Sequence, residues 1–439
     1  MVSQKKVLMI SLAYYPSGVT GAHRGGKFAK YLRACGWEPV ILTVREEFYH
    51  EWSPLVDEKL REQIPMDAKL IRTGCFSVAR FKHFLPGLYA KAKRSRVLAG
   101  AAGSKRQQEP DLSSWIEVPD LAFWIPYGLW HGLRAARECD VIWATSPTTG
   151  ALCAGAILSR LTRRPLVVDL RDPWRIDSVR PCATRLHQRL DSSWERFVLA
   201  TAARIVTVTD RMADIVCRSY PQHQHKVTVI HNGYDAEDFS PVQWSTGDRT
   251  PRELTVGYFG VMSHGREDSL RPFLQLVARL PAWPQGPYIR FVYRGPDTAM
   301  LSELALSYEV QDRVDNGGVL SHQEALAMAS RMDVLLVLGS DKYEYALPAK
   351  LFDCLGAGRP VFAVGPEGAL SEFVRQYDVG IAVDPARGES IDTAFQRLWD
   401  QYGHFRERLR EVATAFTRLA MTRKLAALLE GVVSEANHV

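Results

Sequence analysis

Several things are missing from this sequence, and each absence removes a class of protein. The 439 residues hold seven cysteines, scattered and with no Cys-x-x-Cys pair. A disulfide framework and a cysteine zinc site are thereby disfavoured, and the thiols are read as reduced, as in cytoplasm. No stretch approaches the roughly eighteen apolar residues that a membrane-spanning helix needs, so an integral membrane protein is not expected. No aspartate-rich triplet of the metal-holding kind stands out, and no metal is expected. The first glycine-rich loop, Pro16 to Gly26, lacks the spacing of a dinucleotide fingerprint, and no acidic residue closes the strand after it, which argues against a nicotinamide cofactor. Between Phe76 and Gln108 there is no Asp or Glu at all.

What is present reads as a globular α/β protein. A hydrophobic content of 46% with 24% charged residues is that of a folded chain, and the length favours two domains of roughly 200 residues each. The opening MVSQKKVLMISLAYYP sets basic residues before an apolar run, but the run is short and broken by Tyr14, Tyr15 and Pro16. Val7 to Ala13 is therefore read as a buried strand and not as a leader. The formal charge of +6 is modest. It is unevenly placed, because eight Lys and Arg residues fall between Arg80 and Arg106. With the aromatics around them, from Phe81 to Trp130, they suggest contact of segment 76–108 with an anionic membrane surface; a solvated loop over a buried aromatic cluster is the alternative. A single basic stripe without a recognisable binding module is weak support for nucleic acid, which is not expected as a partner.

Along the chain, apolar runs alternate with helical periodicity, the pattern of doubly wound parallel sheets. Strands are read at Val141 to Thr145, Leu166 to Leu170, Ile205 to Val208 and Val227 to Ile230, with helices between them. Arg171 and Asp172 follow the strand ending at Leu170 directly, at the carboxyl edge where open α/β sheets bind ligands. An Arg–Asp pair that merely fixes the strand end is the competing reading. Residues 240–252, rich in polar residues with Pro and Gly, read as a linker. The rhythm restarts at the strand Leu254 to Phe259, followed by Gly260 to Arg266. Gly260 lets a backbone approach a ligand, and Arg266 suits phosphate. The strand Ile289 to Tyr293 is closed by Arg294.

The densest stretch is Tyr343 to Pro360. Leu347, Leu351 and Leu355 recur every four residues, so a helix with one buried face is expected, begun by Pro348 and ended by Gly356 and Gly358 before a strand at Val361 to Val364. Lys350 and Asp353, three apart, project as neighbours. Free N–H groups at a helix start together with a Lys suit a diphosphate, and a nearby Asp suits ribose hydroxyls. An ordinary amphipathic helix with a solvated outer face is the alternative. Glu367, Gly368 and Ala369 form another strand-to-helix turn, with backbone amides expected to face phosphate.

LPAKLFDCLGAGRPVFAV, from Leu347 to Val364, resembles the nucleotide-sugar-binding helix of glycosyltransferase family 4. That family often carries two glutamates eight positions apart; Tyr345 and Asp353 stand there in this chain, with Glu344 one residue off register. VVDLRDPW, from Val167 to Trp174, and VPDLAFW, from Val118 to Trp124, resemble segments of family members that build bacterial surface glycans. The resemblance implies a GT-B fold, two Rossmann-like doubly wound domains facing a central cleft. It implies an N-terminal acceptor domain over 1–240, a C-terminal nucleotide-sugar domain over 253–408, and a last helix at about 410–439 packing back on the first. It implies a retaining transfer from a nucleoside diphosphate sugar to a saccharide or lipid-linked acceptor, in polysaccharide or lipopolysaccharide assembly, without a further cofactor, at the inner face of the membrane. Carried over by position, Gly260, Arg266, Arg294, Lys350, Leu351, Asp353, Glu367, Gly368 and Ala369 would meet the donor, and Gly21, His23, Arg24, Asp120 and Trp124 the acceptor. Arg171, Asp172, Lys350 and Arg266 would serve catalysis, with Asp172 the candidate base. A non-catalytic nucleotide-binding subunit and a sugar-nucleotide epimerase on the same fold are the competing readings.

Overall fold

The computed structural model describes residues 4–51, 56–65, 68–76, 122–174, 185–239, 253–263, 265–279 and 288–438. The basic segment 77–108, Asp120 and the linker 240–252 lie outside the described residues. The chain divides into two compact units. Unit 1 takes Met1–Thr207, Val216–Thr228 and Thr422–Val439, and unit 2 takes Val208–Ile215 and Val229–Met421.

Unit 1 is built on a seven-stranded sheet of β1 (Lys5–Ile10), β2 (Trp37–Val44), β3 (Lys69–Thr73), β4 (Val141–Thr145), β5 (Leu166–Leu170), β6 (Arg204–Thr207) and β7 (Val227–Val229), in the order β3-β2-β1-β4-β5-β6-β7. Helices α1 (Thr20–Leu32), α2 (Ile125–Glu138), α3 (Thr149–Thr162) and α4 (Arg185–Thr201) connect these strands, and α5 (Asp210–Ser219) follows β6. Every residue of β4 and β5 is buried, as expected of parallel strands covered on both faces. The small residues of α3 let that helix lie directly on the sheet: a Cβ at Gly155 would fall 2.9 Å from the Cβ of Ala144.

Unit 2 repeats the plan with six strands, β8 (Glu253–Phe259), β9 (Tyr288–Arg294), β10 (Val314–Gly317), β11 (Val334–Leu338), β12 (Val361–Val364) and β13 (Gly380–Val383), in the order β10-β9-β8-β11-β12-β13. Its helices are α6 (Glu267–Arg279), α7 (Thr298–Ser307), α8 (His322–Ala329), α9 (Ala349–Ala357), α10 (Ala369–Tyr377), α11 (Ile391–Asp400) and α12 (Tyr402–Val412). Edge-on aromatic pairs fill the core, with Phe273 and Phe291 at 5.1 Å and Phe362 and Phe395 at 5.3 Å between ring centroids. The expected α9 forms, preceded by Pro348 and closed by Gly358 at φ 64°, a left-handed cap that suits glycine.

The last helix, α13 (Arg418–Asn437), contributes Thr422 onward to unit 1, where Lys5 pairs with Glu430 and Arg204 with Glu435. In both sheets the strand order reverses direction once, between β1 and β4 in unit 1 and between β8 and β11 in unit 2. Chains leave the two strands of such a switch point in opposite directions and open a crevice at their carboxyl ends.

Candidate functional site

Unit 2 has a cavity at its switch point. It has a volume of about 510 Å³ including space open to solvent, and its walls include Arg266 from the loop after β8, Gly339 and Ser340 after β11, Pro366 and Gly368 after β12, and Tyr343, Glu344 and Pro348 leading into α9. Arg266 donates from Nη1 to the Ser263 carbonyl at 3.3 Å, and its guanidinium carbon lies 5.9 Å from the centroid of the Tyr343 ring. No carboxylate pairs with it among the described residues.

Lys350 does not line that cavity. Its Nζ is withdrawn onto the Tyr258 ring, 3.7 Å from the centroid, shut off from solvent and without a hydrogen-bond partner. Gly260, at φ +116°, makes room for it; a Cβ there would sit 3.4 Å from the amine. Burial, with help from the nearby Arg266 charge, pulls the Lys350 pKa down from 10.5 to about 7. Two basic groups therefore stand near one another at the end of β8 without an ion-paired acid among the described residues, a partner that a buried charge normally has.

The loop that carries Gly260 and Arg266 is tied down by a residue that sequence reasoning missed. Asp297 Oδ2 accepts from the backbone N–H of Met262 at 2.7 Å and of Ser263 at 3.3 Å, while the Asp297 N–H donates to the Tyr293 hydroxyl at 2.9 Å. A Gly-Pro turn just past a strand end, Gly295-Pro296-Asp297, was the available signal. Thr209 is a second omission: its hydroxyl donates to the Tyr345 carbonyl at 2.7 Å and fixes the approach to α9.

Other donor-side expectations are placed differently by the structure. Arg294 is engaged by Asp315 at 2.9 and 3.1 Å and by the Tyr293 and Asp315 carbonyls, so its guanidinium serves the strand end. The Leu351 side chain is fully buried in the core. The amides of the 367–369 turn are already taken: Glu367 N–H donates to Asp384, Gly368 N–H to the Ser371 hydroxyl, and Ala369 N–H to the Glu344 carbonyl at 2.7 Å. The Glu367 carboxylate pairs with Arg375 at 2.8 Å. The turn contributes the shape of Gly368 and not free donors, because Asp384, Ser371 and the Glu344 carbonyl use them. Asp353 and Lys350 make no ion pair, though each charge acts on the other. Burial pushes the Asp353 carboxyl up, opposed by the charges of His322 and Arg418, with Asp238 adding to the upward push.

Unit 1 gathers Gly21, Arg24 and Arg171 at its own switch point. Arg24 is 1% exposed and forks onto Asp169, which is fully buried, through Nε at 3.0 and 3.1 Å and Nη2 at 2.7 Å. Thr145 adds a hydroxyl to the same carboxylate at 2.6 Å. This internal clamp replaces the expected acceptor contact of Arg24; the signal was Asp169 itself, a charged residue inside an apolar strand. Trp124 is likewise structural, fully buried with Nε1 donating to the Thr73 hydroxyl at 2.7 Å. His23 is half-buried, its ring edge-on to Tyr15 at 5.8 Å. Asp172 is half-buried beside Arg171. Among the described residues no cluster of three His, Cys, Asp or Glu side chains is placed to hold a metal ion, and no helix is long and apolar enough to cross a membrane.

The architecture, two α/β units each on a parallel sheet, is the GT-B fold, and its solved neighbours include HepE from Anabaena in complex with UDP. The two superpose with a TM-score of 0.60 over 97% of this chain and 100% of the other, at 14% identity, a likeness that shows the fold alone. Residues 94–238 match the family model described as Glycosyltransferase Family 4, so the resemblance to that family is borne out. The matched segment contains VVDLRDPW and VPDLAFW. The chain is also 29% identical over 228 residues to a 2-deoxystreptamine N-acetyl-D-glucosaminyltransferase of Streptomyces fradiae, covering 49% of this chain and 52% of that one. It is 25% identical over 259 residues to a 2-deoxystreptamine glucosyltransferase of Streptomyces kanamyceticus, covering 57% and 65%. The chain thus spans between half and two thirds of the length of these relatives.

Proposed function

We propose that this protein is a glycosyltransferase that moves a sugar, with retention, from a nucleoside diphosphate sugar to a saccharide or lipid-linked acceptor in polysaccharide or lipopolysaccharide assembly. The observation that carries the reading is the pair of cations at the unit 2 switch point, Arg266 and Lys350, neither held by a carboxylate among the described residues. A diphosphate supplies the missing negative charge. As the glycosidic bond to the donor breaks, charge grows on the leaving phosphate, and cations fixed beforehand stabilise that state more than the ground state. In this reading the donor is UDP-linked, as the bound nucleotide of the Anabaena neighbour suggests. The leaving phosphate takes the acceptor proton, with Asp172 the alternative base. No metal is invoked, since two cationic side chains already match the diphosphate charge. Attachment to an anionic membrane surface through 76–108 belongs to the same proposal. Flotation with anionic liposomes checks it, and a protein left wholly in the soluble fraction rejects it.

The test is calorimetry with UDP and UDP-sugars together with a transfer assay over a panel of nucleotide sugars. Binding that weakens tenfold or more in Arg266→Ala and Lys350→Ala, with the fold intact by circular dichroism, is the expected result. Failure of every nucleotide sugar to bind refutes the proposal. Binding without transfer or hydrolysis would favour a nucleotide-binding subunit, the reading suggested by Tyr345 and Asp353 in the places of the family's two glutamates.

A further inference from the structure

Unit 1 contains a guanidinium, Arg171, that makes no ion pair among the described residues. Arg171 leaves β5 with its backbone N–H donated to the Ser146 hydroxyl at 2.8 Å. Its Nε and Nη1 are closed to solvent and have no hydrogen-bond partner, although the residue as a whole is only half-buried. Burial pulls the Arg171 pKa down; the nearby Asp172 and Asp169 charges oppose this only in part, and the Arg24 charge adds to the downward pull. Asp169 is consumed by Arg24 and Thr145, and Asp172 makes no ion pair with it. Removing a guanidinium from water without a partner is costly, and a Met of similar length would suit the fold better.

The surroundings are those of an anion site. A Cβ on Gly21 would fall 3.0 Å from Arg171 Nη1 and 3.6 Å from Cδ of Pro147, so the guanidinium, the first turn of α1 and the approach to α3 meet at one place. The N-caps of both helices, Val19 and Thr148, make no side-chain cap hydrogen bond, and neither helix has an acidic residue in its first turn. The Thr149 hydroxyl, at the start of α3, is buried without a hydrogen-bond partner. Two helix N-termini without side-chain caps, of 13 and 14 residues, thus bring their positive ends to this corner, with the Ala22 and Ala151 amides already donated to the Val19 and Thr148 carbonyls and the earlier amides left over. All of this lies at the carboxyl edge of the unit 1 switch point.

We infer that this corner of unit 1 is a subsite for a phosphate or carboxylate group, and that the acceptor of the proposed transfer is anionic. The inference rests on the glycosyltransferase reading for the word acceptor, but not for the anion site. It also separates this chain from its Streptomyces relatives, whose names specify 2-deoxystreptamine. An amine-bearing acceptor would be repelled by Arg171, whereas a sugar phosphate or a uronate would be drawn to it, with the planar guanidinium donating to two oxygens side by side.

The experiment compares wild type, Arg171→Met, Arg171→Lys and Lys350→Ala by thermal melting and calorimetry, with inorganic phosphate as the probe and chloride at matched ionic strength as the control. Without anion, Arg171→Met should melt no lower than wild type, because an unpaired buried charge has been removed. Phosphate should raise the midpoint of wild type and of Lys350→Ala by about 2 °C or more. In an Arg266→Ala, Lys350→Ala background, which removes the proposed donor site, phosphate should still raise the midpoint; adding Arg171→Met should leave it unmoved, with phosphate affinity down at least tenfold, and Arg171→Lys should retain part of the response. A hexose 6-phosphate and a hexuronate, each measured with UDP saturating and against the neutral hexose, decide between phosphate and carboxylate. A phosphate response that survives Arg171→Met in the Arg266→Ala, Lys350→Ala background, or an absence of any anion response in wild type, overturns the inference. UDP binding to Arg171→Met is read separately. Loss of UDP binding in wild type would sink the donor-site reading, while the phosphate arms would still decide the subsite.

Discussion

Donor binding should carry the signature of a lysine that is only partly charged in the empty protein. Lys350 Nζ lies over the Tyr258 ring with no hydrogen-bond partner, and burial brings its pKa to about 7. A diphosphate at Gly260 would restore the charge, so binding above pH 7 must take up a proton. With a free-state pKa of about 7, the ammonium fraction falls from about one half at pH 7 to about one tenth at pH 8. Affinity should therefore drop roughly fivefold over that interval, worth about 1 kcal/mol, and approach tenfold per pH unit beyond it. UDP-glucose is the right ligand, because its diesterified diphosphate does not change charge between pH 6 and 8.5. Calorimetry at pH 8 in buffers of different ionisation enthalpy should report uptake of close to one proton, and Lys350→Met should show neither the uptake nor the slope. The same group affects folding with a definite sign. Unfolded, the amine holds its proton up to about pH 10.5; folded, it loses it above about pH 7. The cost of burying the charge is thus greatest below pH 7, and stability should rise with pH through the window from 7 toward 10.5. A flat affinity profile shared by wild type and Lys350→Met would refute the assignment of this amine to the diphosphate.

Three further outcomes follow from the same geometry. Asp297→Ala strips the Met262 and Ser263 amides of their acceptor, which should cost about 1–3 kcal/mol in melting stability and weaken UDP affinity; the affinity loss measured by calorimetry separates loop positioning from general destabilisation. Arg24→Met leaves Asp169 buried without its fork and should cost about 3–5 kcal/mol, most of it recovered in the double variant Arg24→Met with Asp169→Leu, as thermal denaturation would show. Gly260→Ala forces a side chain into a backbone at φ +116° beside the Lys350 amine; UDP affinity should fall several-fold while the far-ultraviolet circular dichroism stays unchanged.

The interior of each sheet was legible because parallel strands covered on both faces need unbroken apolar runs, as in Val141–Thr145 and Val334–Leu338. The strands that escaped were β3, β10 and β13, all at sheet edges, where a short segment such as Val-Asp-Asn-Gly carries no apolar run to read. The helix at Ala349–Ala357 was legible for the same reason, through its leucine spacing and its proline and glycine punctuation. The candidate site was legible by location and not by contact. Gly21 and Arg171 meet, as do Gly260 and Lys350, because glycine loops and charged strand ends collect at the carboxyl edge of any such sheet. Which charges were already spent was not legible. The partner of Arg24 lies 145 residues away, at Asp169, and the partner of Arg294 on β10, a strand with no apolar run to mark it.

The turn at 367–369 has a bearing on how donors are told apart. Its three amides are saturated by Asp384, Ser371 and the Glu344 carbonyl, so this wall of the cavity is a passive contour that excludes water without offering a directional grip. On the proposed donor reading, sugars differing by a single hydroxyl would be distinguished by side chains on the rest of the rim, where Arg266, Ser340 and Glu344 stand. Attempts to redirect sugar preference should begin there, and rewriting the turn should change how snugly a donor fits more than which donor is chosen.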